Sequence, residues 1–433
     1  MEKTLRTVER FIPKKLYRLC QPAYHSVLAF VSACTYRFPS RRVKVIGVTG
    51  TKGKSSTVEI ISAILEEAGY KTAFSNTVRF KIGESSQNNL FKMSLPGRFF
   101  IQRFVRQAVN ARCDYVILEM TSQGYLQSRH KFISFDAFVV TNISPEHIES
   151  HGSYENYIEA KVSLARTLEK SVKPNRALIL NADDKEINRF RALKIDNQKM
   201  YGIADGSPYT LRDLAGIDFT FRGVGIHSPL SGLFNLYNIL AAATLAENQG
   251  IDINVIKKAV EKFAGVRGRV EKIEAGQDFT VIVDYAHTTD SLEKLYKVFG
   301  NKDKKVSGTK QTCQKICVLG GTGGGRDKWK RKEMGTIADD YCDQIILTIE
   351  DPYDEDPLQI IHDVAEGVTK HKPTIIMDRR EAIQNALTTA KTGDVVLITG
   401  KGTDPFIMGA HGNNIPWSDA NVVREELGKL KNK

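Results

Sequence analysis

Apolar residues along the chain fall into two alternating patterns. Val43, Val45, Ile46 and Val48 make a short apolar run that predicts a buried strand. Val58, Ile60, Ile61, Ile64 and Leu65 then recur at helical spacing, and Gly69 ends that helix. The alternation continues downstream. Residues 115–119 and 135–141 are apolar runs closing on Glu119 and Thr141-Asn142, and 178–184 repeats the form. Residues 200–230, rich in Gly, Thr and aromatics, predict a small antiparallel excursion, and 234–245 an Ala-rich helix carrying Asn235 and Asn238. The turn Gly265-Val-Arg-Gly-Arg269 marks a boundary. Beyond it, apolar runs at 281–283, 316–319, 344–347, 374–377 and 395–398 are again separated by helices. Strands alternating with helices predict two α/β domains with mostly parallel sheets, 43–268 and 269–433. Residues 1–42 read as a helical arm with Tyr24, Val27, Leu28 and Val31 on one stripe.

Composition changes this picture little. At 41% hydrophobic and 26% charged over 433 residues, the chain is an ordinary globular protein of two or three domains. Charge is more informative. Of the net +12, +8 lies in residues 1–44, which hold ten Lys/Arg and two Glu. The body is only mildly basic, which argues against a nucleic-acid face. Residues 19–36 contain no Asp, Glu, Lys or Arg, but Gln21, Pro22, His25 and two serines interrupt them, so a membrane span is not expected. The sequence also shows no small-residue cleavage site of a secretory signal. The arm either packs on the next domain or lies on a membrane surface. Six irregularly spaced cysteines predict reduced thiols, with no metal pair at Cys313 and Cys317. The lysine-rich stretch 301–315 reads as a solvated loop.

The chemistry starts at the first strand–helix junction. Gly47, Gly50 and Gly53 follow one another at three-residue spacing, then Lys54 and Ser55. Strand, glycine loop, Lys-Ser and helix together cradle phosphates: backbone N–H groups approach the anion and the helix N-terminus adds its positive end. Gly50, Thr51, Lys52, Gly53, Lys54, Ser55 and Ser56 form this loop, with Lys54 reaching the terminal phosphates and the Ser55 hydroxyl helping to hold Mg²⁺. The ordinary alternative is a simple βα turn, which would not require Lys-Ser. Ligands in open α/β sheets sit beyond the carboxyl ends of the strands, so Glu119, Asn142 and this loop should share one crevice.

The spacing G-x-x-G-x-x-G-K-S resembles the ATP loop of the Mur ligase superfamily, which includes peptidoglycan ligases, folylpolyglutamate synthases and poly-amino-acid synthetases. Further stretches resemble its MurE-type branch in chain order. They are Ser94-Leu-Pro-Gly97, Glu119-Met-Thr-Ser-Gln-Gly124, Thr141-Asn-Ile-Ser-Pro-Glu-His-Ile-Glu-Ser-His-Gly152, Tyr157-Ile-Glu-Ala-Lys161, Asp284-Tyr-Ala-His-Thr288, Gly324-Gly-Arg-Asp-Lys328 and Gly400-Lys-Gly402. The resemblance implies a central P-loop-type, parallel-sheet ATPase domain at 43–268 and a Rossmann-like C-terminal domain at 269–433. It implies a cytoplasmic enzyme that phosphorylates a carboxylate with ATP and joins it to an amino acid in peptidoglycan precursor synthesis, with possible contact to the inner membrane face through the arm. Its small-molecule partners are an amino acid and a carboxylate acceptor, such as a nucleotide-sugar peptide.

The roles carried over are specific. Lys54, Glu119, His147 and Lys161 match catalytic positions. Ser55, Glu119, His147 and Lys161 match the site of Mg²⁺, two ions in the family, with Lys161 as a carbamate. Asn238, Arg269, Asp284 and His287 match nucleotide contacts. Ser94, Thr121, Ser122, Arg129, Arg326, Glu350, Asp351, Tyr353, Gly400 and Asp404 match substrate-binding positions, those from Glu350 onward in the amino-acid pocket.

Departures matter as much. Family members carry an N-terminal domain of about 100 residues that grips UDP, whereas 42 residues precede the first strand here, too few for a βαβ-rich domain. UDP recognition is therefore not carried over. The family's Asp-Asn-Pro-Arg reads Glu350-Asp-Pro-Tyr353, and a Tyr cannot make the bidentate pair with a distal carboxylate that Arg makes. With Asp354, Glu355 and Asp356 nearby, an ammonium side chain such as that of Lys is expected to be preferred over meso-diaminopimelate. Two other functions fit parts of the sequence: a folylpolyglutamate or peptide-polymer ligase, and a non-catalytic nucleotide-binding subunit of a cell-envelope complex. The second would be expected to have lost Lys54, Glu119 or Lys161, and all three are present.

Overall fold

The computed structural model describes residues 14–431 apart from 92, 147–150, 300–312 and 326–327. His147, Arg326 and most of the 301–315 loop lie outside the described residues. The chain divides into two compact units: 1–207 with 221–224 and 237–260, and 208–220 with 225–236 and 261–433. The second unit thus begins before the glycine–arginine turn and takes in most of the antiparallel excursion.

The first unit is built on eight strands: β1 Lys44–Thr49, β2 Thr72–Ser75, β3 Arg79–Ile82, β4 Ser85–Asn88, β5 Tyr115–Glu119, β6 Ala137–Val140, β7 Ala177–Asn181 and β8 Asn197–Tyr201. Their order is β4-β3-β2-β5-β1-β6-β7-β8. From β2 to β8 all pairings are parallel, and β2-β3-β4 add an antiparallel edge. The central strands are apolar without alternation because helices cover both faces. Val45, Val48, Val116, Leu118 and Val139 are all fully buried. β1 lies between β5 and β6, so the residues after all three strands meet at one end of the sheet.

Helix α1 (Lys14–Thr35) packs on this unit, but not through the predicted stripe. Tyr24, Val27 and Val31 are 45–60% exposed, while Ala29, Ser32 and Ala33 are buried. Small side chains at i, i+3 and i+4 allow close approach, and the Ser32 hydroxyl donates to the Arg98 carbonyl at 3.0 Å. Arg106 closes the contact by donating to the Tyr36 carbonyl at 2.6 Å. No described helix is long and apolar enough to cross a membrane.

Residues 209–228 form a small sheet of β9 (Tyr209–Leu211), β10 (Ile217–Phe221) and β11 (Val224–Ser228), in the predicted place. The second unit carries β12 (Glu271–Lys272), β13 (Thr280–Val283), β14 (Lys315–Leu319), β15 (Gln344–Leu347), β16 (Thr374–Ile375) and β17 (Val395–Ile398) in the order β12-β13-β17-β14-β15-β16. Only β12 pairs antiparallel. The predicted run 374–377 shortens to two residues because it is a solvated edge, with Ile375 and Met377 exposed. Reduced thiols are found at Cys34, Cys113 and Cys313, but not at Cys317 and Cys342. These two are buried side by side between β14 and the helix before β15 and are joined as a disulfide, their Cα atoms 6.1 Å apart.

One ion pair anchors the loops of this unit. Arg379 and Asp419 are fully buried, with Nε and Nη2 of Arg379 each donating to the carboxylate at 2.8 Å. Nη2 also donates to the Thr399 carbonyl at 2.7 Å and Nη1 to that of Ile349 at 3.2 Å, the residues just before Gly400 and Glu350. Arg379→Met leaves the Asp419 charge buried, with the Trp417 indole N–H alone among the described side chains donating to it. The expected loss is about 3–5 kcal/mol, read as a lowered urea midpoint with unchanged slope. A loss below about 1 kcal/mol would show that Asp419 finds water or a proton instead.

Candidate active site

Loop 50–55 joins β1 to helix α2 (Lys54–Glu67). Its glycines are required by geometry at two points. Gly50 has φ +147°, and a Cβ there would lie 1.9 Å from the Thr141 hydroxyl; Gly53 has φ +80°, and its Cβ would lie 2.2 Å from Asn238 Oδ1. The residues after β6 hold the loop from the other side. Asn142 accepts from the Lys52 amide at 2.9 Å through Oδ1, and its side-chain amide donates to the Lys52 carbonyl at 3.0 Å. The Thr141 hydroxyl donates to the same carbonyl at 2.7 Å. Asn142 thus shapes the phosphate loop.

Glu119, at the end of β5, is the centre of the site. It is buried, and its carboxylate accepts from the Ser55 hydroxyl at 2.6 Å and the Ser94 hydroxyl at 2.8 Å. Thr77 donates to it twice, through its amide at 3.0 Å and its hydroxyl at 2.7 Å. Burial alone would raise this carboxyl. The Lys54 charge and the hydrogen bonds from Ser55 and Thr77 outweigh burial and hold it below the usual carboxylate range. Glu119 is therefore an anion in a polar nest, with Ser55 beside it. The Lys54 ammonium donates to the Gly50 and Thr51 carbonyls at 3.1 and 2.8 Å, folded onto the loop it would leave for a phosphate.

Lys161 projects from helix α5 (Tyr154–Arg166), which is capped by Ser153. Its ammonium is buried, donates to the Gly50 carbonyl at 2.6 Å and lies 4.7 Å from the Tyr157 ring centroid. Burial, and next the Lys54 charge, hold its pKa well below the usual lysine range. The Tyr157 hydroxyl is hydrogen bonded to Thr51 at 2.9 Å, so α5 and the loop are locked together. Lys52 pairs with Glu146 at 2.7 Å on the outer side. Ser56 follows in the first turn of α2 and is half-buried.

The remaining expected residues divide between the units. In the first, Asn238 faces the loop and accepts weakly from Thr57 at 3.4 Å. Thr121 caps the short helix α4 (Ser122–Leu126), and Ser122 is buried against His151 at 3.0 Å. Arg129 is hydrogen bonded to the Leu95 carbonyl and the Gln127 amide. In the second unit, Asp284 accepts from the Val270 and Ala286 amides, both at 2.7 Å, and burial raises its pKa against the Arg269 charge. The Arg269 guanidinium stacks on Tyr285, 4.3 Å from the ring centroid, and His287 is bonded to the Tyr285 carbonyl at 2.7 Å. Gly400 and Glu350 are adjacent: a Cβ on Gly400 would lie 2.5 Å from Glu350 Oε2. Asp351 and Asp404 share the buried Lys401 ammonium at 2.7 and 2.9 Å. Tyr353 sits in a left-handed conformation with its amide on the Met408 carbonyl at 2.9 Å.

The sequence reading missed Thr77, Tyr157 and Lys401 as site-shaping residues. Tyr157 and Lys401 stood inside the quoted motifs; Thr77 lies in the short turn between β2 and β3, outside every motif. Among the described residues, no group of three or more His, Cys, Asp or Glu could hold a metal. The donors at the loop are a carboxylate and a hydroxyl, a set that suits Mg²⁺, which takes few protein oxygens and completes its shell with phosphates and water.

Comparison with known proteins places the chain in a family. The Mur ligase middle domain matches residues 48–246, and the Mur ligase glutamate ligase domain matches 268–402. The chain belongs to the Mur ligase family and is an ATP-dependent acid–amino-acid ligase. Its relatives are of the MurE type. It is 38% identical over 428 residues to the UDP-N-acetylmuramoyl-L-alanyl-D-glutamate–2,6-diaminopimelate ligase of Syntrophomonas wolfei, covering 95% of this chain and 84% of that protein. It is 34% identical to the UDP-N-acetylmuramyl-tripeptide synthetase of Roseiflexus, covering 94% and 83%. Among solved structures, a UDP-N-acetylmuramoyl-L-alanyl-D-glutamate–2,6-diaminopimelate ligase aligns with TM-score 0.60 at 28% identity, over 90% of this chain and 79% of that one. MurF from Acinetobacter baumannii aligns with TM-score 0.66 at 18% identity, over 94% and 81%, and shares the fold.

Proposed function

We propose that this ligase extends a muramoyl-peptide acceptor of the kind its relatives are named for. It does so by activating the acceptor carboxylate as an acyl phosphate and transferring the acyl group to an amino acid. The observation that carries this is the contact between Ser55 and Glu119 at 2.6 Å, with Lys54 and Lys161 bonded to the same loop carbonyl. The acceptor oxygen attacks the γ-phosphorus and the bond to the ADP oxygen breaks. The amine nitrogen then attacks the acyl carbon, phosphate leaves with the C–O pair, and the nitrogen sheds a proton. Lys54 supplies positive charge against the transferring phosphoryl group, and the loop amides hold its equatorial oxygens. Ser55 and Glu119 would hold magnesium, which would neutralise further charge on the phosphates. Lys161, as a carbamate, would supply an oxygen ligand for a second ion. The test is phosphate release with amide-product detection across acceptors and amino acids. Phosphate release without amide from any muramoyl peptide would reject the reading.

The amino acid is chosen in the second unit. Glu350 is buried with Oε1 bonded to Thr322 at 2.8 Å, and burial, followed by the Asp351 charge, pushes its carboxyl up to about 7. Glu350, Asp351 and Asp404 gather three carboxyl groups around the Lys401 ammonium. An acidic cluster of this kind suits an ammonium side chain, and Tyr353 offers no guanidinium to a distal carboxylate. Lys is expected over meso-diaminopimelate by at least about tenfold in kcat/KM, or ~1.4 kcal/mol, with Tyr353→Arg narrowing the ratio. Competition between the two at equal concentration decides it, and a preference for diaminopimelate would place the selecting residues elsewhere.

A further inference from the structure

Helix α1 turns small residues inward and leaves large apolar ones outside. Tyr24, Val27, Phe30 and Val31 are exposed, with Ala23 and Cys34 in the same row. The outer face of a surface helix ordinarily carries charged and polar residues. This one carries no Asp, Glu, Lys or Arg between Leu19 and Tyr36.

The apolar surface extends past the helix. The Phe30 ring meets those of Phe38 and Phe132 edge-on, with centroids 6.4 and 5.3 Å away. Phe132 is exposed and Phe38 half-buried. Both residues sit in the left-handed region, at φ +62° and +47°. Bulky side chains rarely adopt that conformation, so two rings join Phe30 against local backbone preference.

Positive charge borders the patch. The Lys131 ammonium donates to the Ser26 hydroxyl at 2.6 Å, and the Arg41 guanidinium lies over Phe38, 4.6 Å from the ring centroid. Arg37 and Arg42 are exposed on either side of that contact along the chain. No acid offsets them: residues 14–42 contain no Asp or Glu, and neither does helix α3 (Arg98–Asn110), on which α1 packs, nor the segment 127–135 around Phe132.

The charge pattern selects the occupant. A second copy of this face would bring like charges together, which opposes self-association. No described helix is long and apolar enough to cross a bilayer. An anionic lipid surface takes both features at once: headgroups pair with Lys and Arg, while the acyl boundary covers the valines and rings. We propose that the outer face of helix α1, with Phe38 and Phe132, docks on an anionic phospholipid bilayer, the helix lying in the plane of the interface and Arg37, Arg41 and Lys131 among the headgroups. This docking is independent of which acceptor or amino acid the ligase takes.

Co-sedimentation of the full chain with vesicles of equal parts phosphatidylglycerol and phosphatidylcholine, against phosphatidylcholine alone, tests it. The unmodified protein is expected to partition at least about tenfold more strongly onto the anionic vesicles, and to lose that preference at high salt. Val27→Glu puts a charge on the stripe at a side chain that is 60% exposed, so folding is at little risk, and Arg41→Glu reverses a rim charge. Each is expected to weaken partitioning at least about fivefold, while ligation in solution stays within about twofold. Val27→Leu, which enlarges the apolar side chain, keeps or raises it. An unmodified protein with no preference for anionic vesicles overturns the proposal, as does equal partitioning of the unmodified, Val27→Glu and Arg41→Glu proteins. So does a lipid-free dimer that Val27→Glu dissociates in sedimentation equilibrium, which would assign the face to a second copy.

Discussion

Glu119→Gln and Lys54→Ala each lower ligation turnover by at least about 10²-fold, the scale for losing one preorganised electrostatic group. The reason lies in how Glu119 is held. Four donor contacts from Ser55, Thr77 and Ser94 fix the carboxylate, those from Ser55 and Ser94 from buried hydroxyls. Those contacts and Lys54 keep its pKa low despite burial, so it is an anion across neutral pH. Gln is isosteric and retains an acceptor oxygen for Thr77, but it cannot oppose a dication and turns an N–H₂ toward one of the hydroxyls. Lys54→Ala removes the ammonium that donates to the Gly50 and Thr51 carbonyls and would turn to a phosphate. The measurement is single-turnover phosphate transfer at saturating ATP, with near-UV circular dichroism as the check on folding. Near-normal turnover in both variants would remove the loop from the chemistry.

How far the sequence carried depends on which residues bore a signal. Central strands such as Tyr115–Glu119 and Val395–Ile398 are buried on both faces, so their apolar runs were plain. Ser85–Asn88 pairs as an edge strand although every residue is exposed and polar; backbone hydrogen bonds to β3, not side chains, define it. Thr77 lies in the turn between β2 and β3, where no motif marked it. In the arm the helical period was legible, but not the packing face, since close helix packing used the small residues Ala29, Ser32 and Ala33. The acidic run near Glu350 was legible as charge, while the compensating Lys401 stood fifty residues away in a glycine motif. The nucleotide loop, by contrast, was readable because its function demands glycines, a lysine and a serine at fixed offsets.

Lys161→Ala abolishes ligation, and short carboxylic acids such as acetate restore part of it. The prediction follows from the state of this amine. A lysine buried beside Lys54, with its pKa well below the usual range, spends more of its time neutral than a surface lysine does. Only the neutral amine attacks CO₂: the nitrogen lone pair forms the N–C bond, a C–O π pair moves to oxygen, and the nitrogen loses a proton. The product is an anion whose remaining N–H can keep the 2.6 Å bond to the Gly50 carbonyl. It also reverses the local sign of charge, turning repulsion from Lys54 into attraction. Acetate in the space left by Lys161→Ala can return the oxygen ligand but not the tether, so rescue should be partial and saturable. Labelled bicarbonate supplies an independent readout, a carbamate carbon resonance in the unmodified protein that Lys161→Ala lacks. A fully active Lys161→Ala enzyme, or an unmodified enzyme with no carbamate signal and full activity, would return Lys161 to the role of a buried structural amine clamping Gly50.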